Sequence, residues 1–371
     1  MNKRIVTKFG GSNLTSPQAI LRVLNTIEGY NQPIIIVVSA FKGVTDQLIS
    51  GMNLHSNESI EQLIEQLRFK HSEAVRLIID NKDKRKLILN RLNRCLIELL
   101  THLQGYHQQE SLAQKDLILS YGERLSALLL SEFLNFRGLK ACECKPETMG
   151  LVTNGIFQNA SINLPATQRN IRRKKIFHLN QIFVIPGFYG VSNSGQVTIL
   201  GRGGSDYTAS SIAYCIDADY LDLWKDVDGI LSADPRIISE NQIVRSMNFR
   251  EAEQLAYWGA KILHPKVFEP LKEKKIEVRL FNIFSQTLDM KPASVVSCQE
   301  NSFKDDSPKS IVLNEDYAWL EIRGTNLKII ELKNYLKQIF PEKKEMIHVR
   351  NLSKSSIGIV VLSSRLNQLI E

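Results

Sequence analysis

The sequence predicts an α/β fold, a three-layer αβα sandwich with a mostly parallel central sheet, followed by a small α+β domain. Strand-like and helix-like segments alternate along the first 300 residues, and residues 33–40 (PIIIVVSA) are almost entirely apolar. Such a run is typical of a parallel strand that is covered on both faces. A polar, weakly patterned stretch at residues 297–310 predicts a linker before the small domain.

The predicted elements follow one another in the order that βαβ units require. The first strand, residues 4–10, precedes a helix at 16–30 with Ser16 as its N-cap and Pro17 in its first turn. After the apolar strand, helical segments are predicted from about residue 59 to 103, with a break near Asn81, and from 113 to 138. Further strands are predicted at residues 139–145, 181–190, 196–200, 220–227 and 276–283.

The domain boundaries follow from the change in composition near residue 300. We assign residues 1–298 to a large domain, 299–310 to a linker and 311–371 to a small domain. The small domain reads as a strand, a helix and two strands, at residues 317–324, 326–340, 345–351 and 357–364.

Composition and charge bear on the possible partners. The net charge of +8 is compatible with nucleic acid, a membrane surface or a polyanionic small molecule. The basic runs at residues 82–94 and 169–175 lack interleaved aromatics and predict solvated helix faces, so we expect no nucleic-acid partner. The longest apolar run, residues 34–38, is too short to cross a membrane, and no signal peptide is evident. The five cysteines lack zinc spacing, so we expect reduced thiols in a cytoplasmic protein with no membrane partner.

Two glycine-rich loops each follow a predicted strand and precede a predicted helix. They are KFGGSN (residues 8–13) and LGRGGSDYTA (200–209), and each carries a cation, Lys8 or Arg202. Glycine lets backbone N–H groups approach an anion closely, and the following helix adds its dipole. Neither loop has the spacing of a Walker or dinucleotide-binding motif. Taken alone, each loop could equally be a tight turn.

Three further stretches place polar residues after predicted strands or in turns. Residues 37–46 (VVSAFKGVTD) contain Ser39 and Thr45, and residues 257–265 contain Lys261. The stretch WKDVDGILSADPR contains Asp226, Asp228, Asp234 and Arg236. Solvated loop residues and Asx turns would account equally well for these aspartates, and a surface position for the lysine.

Together these stretches resemble the aspartate kinases of the amino-acid kinase superfamily. The motifs KFGGS, VVSAFKGVTD, SYGERLSA, GFYGVSNSGQVTILGRGGSDYTAS, WKDVDGILSADPR and GAKILHP stand in the family's order and cover about residues 1–300. The resemblance implies the amino-acid kinase fold and transfer of the ATP γ-phosphoryl group to the β-carboxylate of L-aspartate. The product would be 4-phospho-L-aspartate, the first intermediate toward lysine (via diaminopimelate), threonine and methionine.

The resemblance also implies roles for individual residues. The two catalytic residues would be Lys8, which contacts the transferring phosphoryl group, and Asp206, which orients the Lys8 side chain. Arg202 would bind the α-carboxylate of aspartate and Glu123 its ammonium group. The full substrate set would be Ser39, Thr45, Glu123, Arg202 and Ser205. The ATP set would be Lys8, Gly10, Gly11, Lys225, Asp226, Leu231, Arg236 and Lys261.

The family resemblance implies ATP as co-substrate with Mg²⁺. The ion would bridge the ATP phosphates and be held largely by substrate oxygens and water, so no protein residue is assigned as a metal ligand.

The sequence departs from the family pattern at several positions. Asn13 stands where the first loop has serine, Lys225 where threonine is usual, and Leu231 where tyrosine is frequent. No charge that the reaction needs is lost, so we expect an active kinase. The last 66 residues or so resemble one ACT unit without its final elements, where the family has two. We therefore expect inhibition by lysine or threonine to be weakened, absent or altered, which adding lysine, threonine or both to a steady-state assay would test. The family resemblance also implies a homodimer.

Two alternatives stay open at this point. One is another amino-acid kinase of the same fold acting on a related carboxylate, such as glutamate or N-acetylglutamate. The other is a non-enzymatic or weakly active nucleotide-binding regulator. An acetylated substrate has no ammonium group, so it would give Glu123 nothing to pair with.

Overall fold

The computed structural model describes two compact units, residues 1–311 and 312–371. The described residues are 3–106, 108, 110–177, 180–260, 263–285, 290–299, 309–314, 316–323, 346–353 and 356–363.

A mixed eight-stranded sheet forms the centre of the first unit. The strands of this unit are β1 (Ile5–Phe9), β2 (Ile35–Val38), β3 (Ala141–Glu143), β4 (Ile182–Pro186), β5 (Tyr189–Val191), β6 (Val197–Ile199), β7 (Tyr220–Lys225), β8 (Ser246–Asn248), β9 (Glu277–Asn282) and β10 (Ser294–Ser297). The sheet order is β3-β4-β2-β1-β7-β9-β10-β8, whereas β5 and β6 pair with each other. Neighbours from β3 to β9 are parallel, and β10 is antiparallel to β9. The predicted mostly parallel sheet is therefore confirmed.

Helices connect these strands. They are α1 (Pro17–Glu28), α2 (Val44–Gly51), α3 (Asn57–Ile78), α4 (Lys82–Tyr106), α5 (Leu112–Phe136), α6 (Pro146–Met149), α7 (Leu164–Arg173), α8 (Gly204–Cys215), α9 (Phe249–Tyr257) and α10 (Phe268–Lys274). Ser16 caps α1 as predicted, accepting a hydrogen bond from the Ala19 N–H. The predicted break near Asn81 separates α3 from α4, and the Asn81 side chain accepts from the Lys84 N–H at 2.9 Å. Among the helices described, none is both long enough and apolar enough to cross a membrane.

Helices cover both faces of the sheet, as the apolar run of β2 predicts. Ile36 and Val38 pack into the core formed with α1 to α5, whereas Ile35 and Val37 pack into the core formed with α7 to α10. Full burial of such a side chain contributes about 1.5–3 kcal/mol, so a strand apolar on both faces is stable only between two helical layers. The three-layer sandwich follows from this pattern.

One predicted strand is divided in two. Residues 181–190 were expected to form a single strand, but β4 ends at Pro186, and Tyr189 begins β5, which pairs with β6. Phe188 has φ of +72°, a left-handed conformation that an extended strand cannot contain. Pro186 also lacks an N–H for the sheet ladder. The prediction of one continuous strand was therefore wrong, and the short strands β8 and β10 were not predicted.

The second unit contains a three-stranded antiparallel sheet. Its strands are β11 (Tyr317–Arg323), β12 (Met346–Ser353) and β13 (Ser356–Leu362), in the order β11-β13-β12. They lie at the three positions where the sequence predicts strands. The predicted helix at residues 326–340 and most of the predicted linker lie outside the described residues, and the ACT-like character of this unit stays a prediction.

A buried ion pair ties β7 to β9 inside the sheet. The guanidinium of Arg279 contacts both carboxylate oxygens of Asp222, at 2.6 and 2.7 Å, and Asp222 is fully buried. Tyr30 also donates its hydroxyl to Asp222 at 2.8 Å. We expect Arg279→Met to lower the free energy of unfolding by about 3 kcal/mol, because it leaves a buried carboxylate without its cation. Urea unfolding followed by circular dichroism measures this.

Arg279→Lys is the control for that prediction, since it keeps the charge and loses only the bidentate contact. It should lower the free energy of unfolding clearly less than Arg279→Met does. An Arg279→Met protein within about 0.5 kcal/mol of the wild type would contradict the prediction.

Candidate active site

The two glycine-rich loops lie together at the carboxyl ends of the central parallel strands. A cavity of about 560 Å³ opens there, between α5 and the loop that begins α8. Six of the residues predicted from the sequence line it: Lys8, Ser39, Thr45, Arg202, Ser205 and Asp206. Ligands in open α/β sheets bind at this edge. The structure thus brings the predicted catalytic pair and most of the predicted substrate residues to one place.

The glycines of the LGRGGSDY loop are required by its backbone. Gly201 and Gly203 have φ of +76° and +69°, and Gly203 is the residue that caps the start of α8. A Cβ at Gly203 would also lie 2.4 Å from the Cβ of His264. The loop therefore turns tightly, and the turn places Ser205 and Asp206 in the first helical turn, at the positive end of the helix dipole.

Asp206 is held between two lysines. Its carboxylate lies 2.6 Å from the Lys8 ammonium and 3.0 Å from the Lys225 ammonium, and the side chains of Lys8 and Asp206 are almost completely buried. Burial works to raise the pKa of Asp206, but Lys225 and Lys8 outweigh it and keep the pKa well below its usual value. Burial lowers the pKa of Lys8, and Asp206 opposes that shift. The carboxylate thus stays ionised and fixes the Lys8 ammonium at the end of β1.

Glu123 lies on α5, buried beneath the loop that follows β2. Its Oε1 accepts a hydrogen bond from the Ala40 N–H at 3.1 Å, while Oε2 is buried and has no hydrogen-bond partner among the described residues. Burial raises the pKa of Glu123 to about 8, against the Ala40 hydrogen bond and the charge of Lys8, which lower it. A buried oxygen without a partner is costly, so this site is suited to accept a hydrogen bond from a bound cationic group.

Asn13 changes the expected role of the first loop. Its Oδ1 accepts the Gly10 N–H at 2.9 Å, so the backbone donor predicted to face a phosphate is engaged within the loop. Asn13 is 2% exposed, and its Nδ2 has no partner in the described part of the chain. Gly10 remains next to Lys8, since a Cβ on Gly10 would lie 3.2 Å from the Lys8 Nζ.

The predicted nucleotide residues lie mostly outside the cavity. Lys225 ends β7 and contacts Asp206, as described above. Asp226, Leu231 and Arg236 lie in the segment after β7 and are not among the residues that line the cavity. Arg236 pairs with Asp234, and the Leu231 carbonyl accepts from Ser310 at 3.0 Å. Lys261 lies outside the described residues.

The structure adds residues to the cavity that the sequence did not single out. They are Ile49, Lys115, Leu119, Gln158, Phe188, Ile199, Gly201, Gly203 and Gly204. Lys115 and Leu119 lie one turn apart on α5, the helix that also carries Glu123, so helical spacing could have indicated them. Gln158 has φ of +67°, which no sequence pattern indicates.

No group of three or more His, Cys, Asp or Glu side chains able to hold a metal ion occurs among the described residues. Asp206, the carboxylate on the cavity wall that lies beside Lys8, already pairs with two lysines. This donor set does not fit a metal ion held by the protein alone.

Comparison with known proteins gives a consistent picture. Residues 3–282 match the model of the amino acid kinase family. Aspartokinase 2, chloroplastic, from Arabidopsis thaliana is 30% identical over 379 residues, covering 95% of this chain and 65% of that protein. A bifunctional aspartokinase/homoserine dehydrogenase from Buchnera aphidicola is 26% identical over 90% of this chain, which spans 41% of its length. The structure of E. coli aspartokinase III in complex with aspartate and ADP superposes with a TM-score of 0.79 at 23% identity, covering 97% of this chain and 79% of that one.

Proposed function

The chain belongs to the amino acid kinase family, and we propose that it transfers the γ-phosphoryl group of ATP to the β-carboxylate of L-aspartate. The observation that carries the proposal is the cavity in which Lys8, Arg202, Ser39 and Thr45 meet beside the buried Lys8–Asp206 pair. The names of the similar proteins, aspartokinases in each case, support the same substrate.

Charge neutralisation and positioning are what phosphoryl transfer demands of a protein. Lys8, fixed by Asp206, would neutralise charge on the transferring phosphoryl group. An oxygen of the substrate β-carboxylate attacks the γ-phosphorus, the bond from that phosphorus to the bridging oxygen breaks, and ADP leaves with the electron pair.

The acceptor would be held by complementary charges. Arg202 lines the cavity and would bind the α-carboxylate with two parallel hydrogen bonds. Glu123 would accept the ammonium group on its unpartnered Oε2. The hydroxyls of Ser39, Thr45 and Ser205 would orient the two carboxylates.

For the nucleotide we propose contacts from Gly10, Gly11, Lys225, Asp226, Leu231, Arg236 and Lys261. When bound, Mg²⁺ would add positive charge at the phosphates, held by phosphate oxygens and water, because the protein offers no carboxylate cluster among the described residues. The hydrogen bond from the Gly10 N–H to Asn13 would have to open if Gly10 is to contact a phosphate.

Three finer proposals accompany this function. The product would enter the biosynthesis of lysine, threonine and methionine, the protein would be a homodimer, and it would act in the cytoplasm. The first two are implied by the resemblance to aspartate kinases, and the third rests on the five cysteines, which lack zinc spacing and are expected to be reduced thiols.

Trapping the acyl phosphate with hydroxylamine tests the function directly. We expect aspartyl hydroxamate to form only when ATP, Mg²⁺ and L-aspartate are all present. L-Glutamate and N-acetyl-L-glutamate, tested in parallel, should give much less product. Hydroxamate formation no higher than in the reaction without L-aspartate would overturn the proposal.

A further inference from the structure

A second cavity, here called the amino-edge cavity, opens at the amino ends of the central parallel strands. It measures about 370 Å³ and is lined by residues at the start of β1, β2 and β4 and by the carboxyl ends of α7 and α8. Arg4 lies on its wall, whereas Lys8 lies on the wall of the active-site cavity. These two residues are four positions apart, which is about 13 Å along an extended strand. The amino-edge cavity is therefore distinct from the proposed active site.

Much of the wall of the amino-edge cavity is apolar. Its buried apolar residues are Ile34, Ile35, Ile171, Phe183 and Ile216. Small-molecule sites in proteins commonly have volumes of about 300–1,000 Å³, so this cavity is large enough for a ring or a short hydrocarbon chain. Covering apolar walls removes their surface from water, which favours a ligand with an apolar body.

Exposed cations surround this apolar space. Lys3, Arg4 and Arg172 line the cavity, and Arg172 belongs to the basic run of residues 169–175. Asp217 is the one carboxylate among the described residues that line it. That carboxylate is already paired, with Arg172 at 3.0 Å and with Lys274 at 2.8 Å. It therefore does not offset Lys3 or Arg4, and the cavity carries a surplus of positive charge.

Arg4 is fixed in place and still has donors for a ligand. Its backbone N–H donates to the Asp219 carboxylate at 2.7 Å, and one Nη of its guanidinium donates to the Ile216 carbonyl at 2.5 Å. The Ile216 contact uses Nη1 and leaves the edge formed by Nε and Nη2. The two parallel N–H groups of such an edge match the two oxygens of a carboxylate.

We propose that the amino-edge cavity binds a small monocarboxylate with an apolar body, an aryl- or alkyl-substituted acid. The carboxylate would pair with the free edge of the Arg4 guanidinium, and Lys3 would add positive charge nearby. The apolar body would lie against the isoleucine side chains of the wall. An inorganic anion has no apolar body and a neutral alcohol has no charge, so each would use only half of the site. The proposal does not depend on the kinase function.

The probe is 4-phenylbutyrate, which joins a carboxylate to a short chain and a ring. Isothermal titration calorimetry of the full chain should show saturable binding at one site, with a Kd below about 1 mM. Acetate lacks the apolar body and 4-phenylbutan-1-ol lacks the charge, so each should bind at least about tenfold more weakly. Excess L-aspartate should change the Kd for 4-phenylbutyrate by less than about threefold, because its proposed site lies at the opposite edge of the sheet.

Variants of Arg4 test where the probe binds. Arg4→Gln removes the charge and keeps an N–H group for the Ile216 carbonyl, so the protein should fold and the Kd for 4-phenylbutyrate should rise at least about tenfold. Arg4→Lys keeps the charge and should raise the Kd less. Arg173→Gln is the matched control, because Arg173 is an exposed neighbour of Arg172 that does not line the cavity. It should leave the Kd within about twofold of wild type.

Ile176→Trp covers the case in which Arg4→Gln does not fold. Ile176 is a partly exposed residue of the cavity wall, and the larger ring should fill the space and raise the Kd at least about tenfold. The proposal would be overturned by a wild-type protein without saturable binding, by displacement of the probe by L-aspartate, or by a Kd that Arg173→Gln raises as much as Arg4→Gln. A Kd that neither Arg4→Gln nor Ile176→Trp changes would also overturn it. The hydroxamate assay tests the kinase function separately.

Discussion

Replacing Lys8 with methionine should lower kcat about a thousandfold, because it removes the cation proposed to neutralise the transferring phosphoryl group. Methionine approximates the length of the lysine side chain and fits its buried position. Asp206 would keep Lys225 as a partner at 3.0 Å, so the substitution does not leave an isolated buried charge. The protein should therefore fold, and the loss should appear in turnover. The hydroxamate assay and the far-ultraviolet circular dichroism spectrum measure the two properties separately.

Lys225→Thr is the matched control, since Lys225 is the other lysine on Asp206 and does not line the cavity. It should lower kcat by about tenfold or less and change mainly the KM for ATP. A Lys8→Met protein that retains more than about a tenth of wild-type kcat would contradict the assignment of Lys8. So would a Lys225→Thr protein that loses as much activity as Lys8→Met.

The sheet and its helical layers could be predicted because the signals are local and repeated. The apolar run of β2 and the cap at Ser16 each depend on neighbouring residues, and the structure has both as expected. The divided strand could not be predicted, because the turn depends on the positive φ of Phe188, a residue without turn preference. Short strands such as β8 contain too few residues for an alternation of apolar and polar side chains to be recognised.

In the site, Lys8 and Arg202 could be predicted because each lies beside glycines. Binding an anion closely needs both a backbone without side chains and a positive charge. Two other contacts near the cavity could not be predicted from the sequence in the same way. The contact of Lys225 with Asp206 joins residues 19 positions apart. Asp116 meets Ile199 across 83 positions, and nothing in the local sequence of either residue indicates the contact. Such long-range hydrogen bonds depend on the assembled fold.

The acceptor site should show a strong dependence on pH, because of Glu123. Burial raises its pKa to about 8 from an ordinary value of 4.5, so in the free protein the group is mostly protonated below pH 8. An ammonium group pairs with the ionised form, so kcat/KM for L-aspartate should fall about tenfold per unit as pH drops below 8. The profile from pH 6 to pH 9, measured at saturating ATP, checks this.

The same pKa shift also affects stability, which should fall with rising pH, whereas kcat/KM should rise. Because the folded pKa of this acid lies above its unfolded value, the contribution of Glu123 to stability is fully present below pH 4.5 and is lost as pH rises through 8. Glu123→Gln has no such titration. Its melting temperature relative to the wild type should therefore increase between pH 6 and pH 9.

Glu123→Gln should raise the KM for L-aspartate about a hundredfold and flatten the pH profile of kcat/KM below pH 8, since the amide has no negative charge for the ammonium group. Glu73→Gln, an exposed carboxylate on α3, is the control and should change neither. The variant also separates the related kinases. An enzyme for an N-acetylated acceptor would barely respond, because its substrate brings no ammonium group to this site. A large rise in the KM for L-aspartate in Glu123→Gln, together with loss of the pH dependence of kcat/KM, is expected only if the free amino group of the substrate contacts this buried carboxylate.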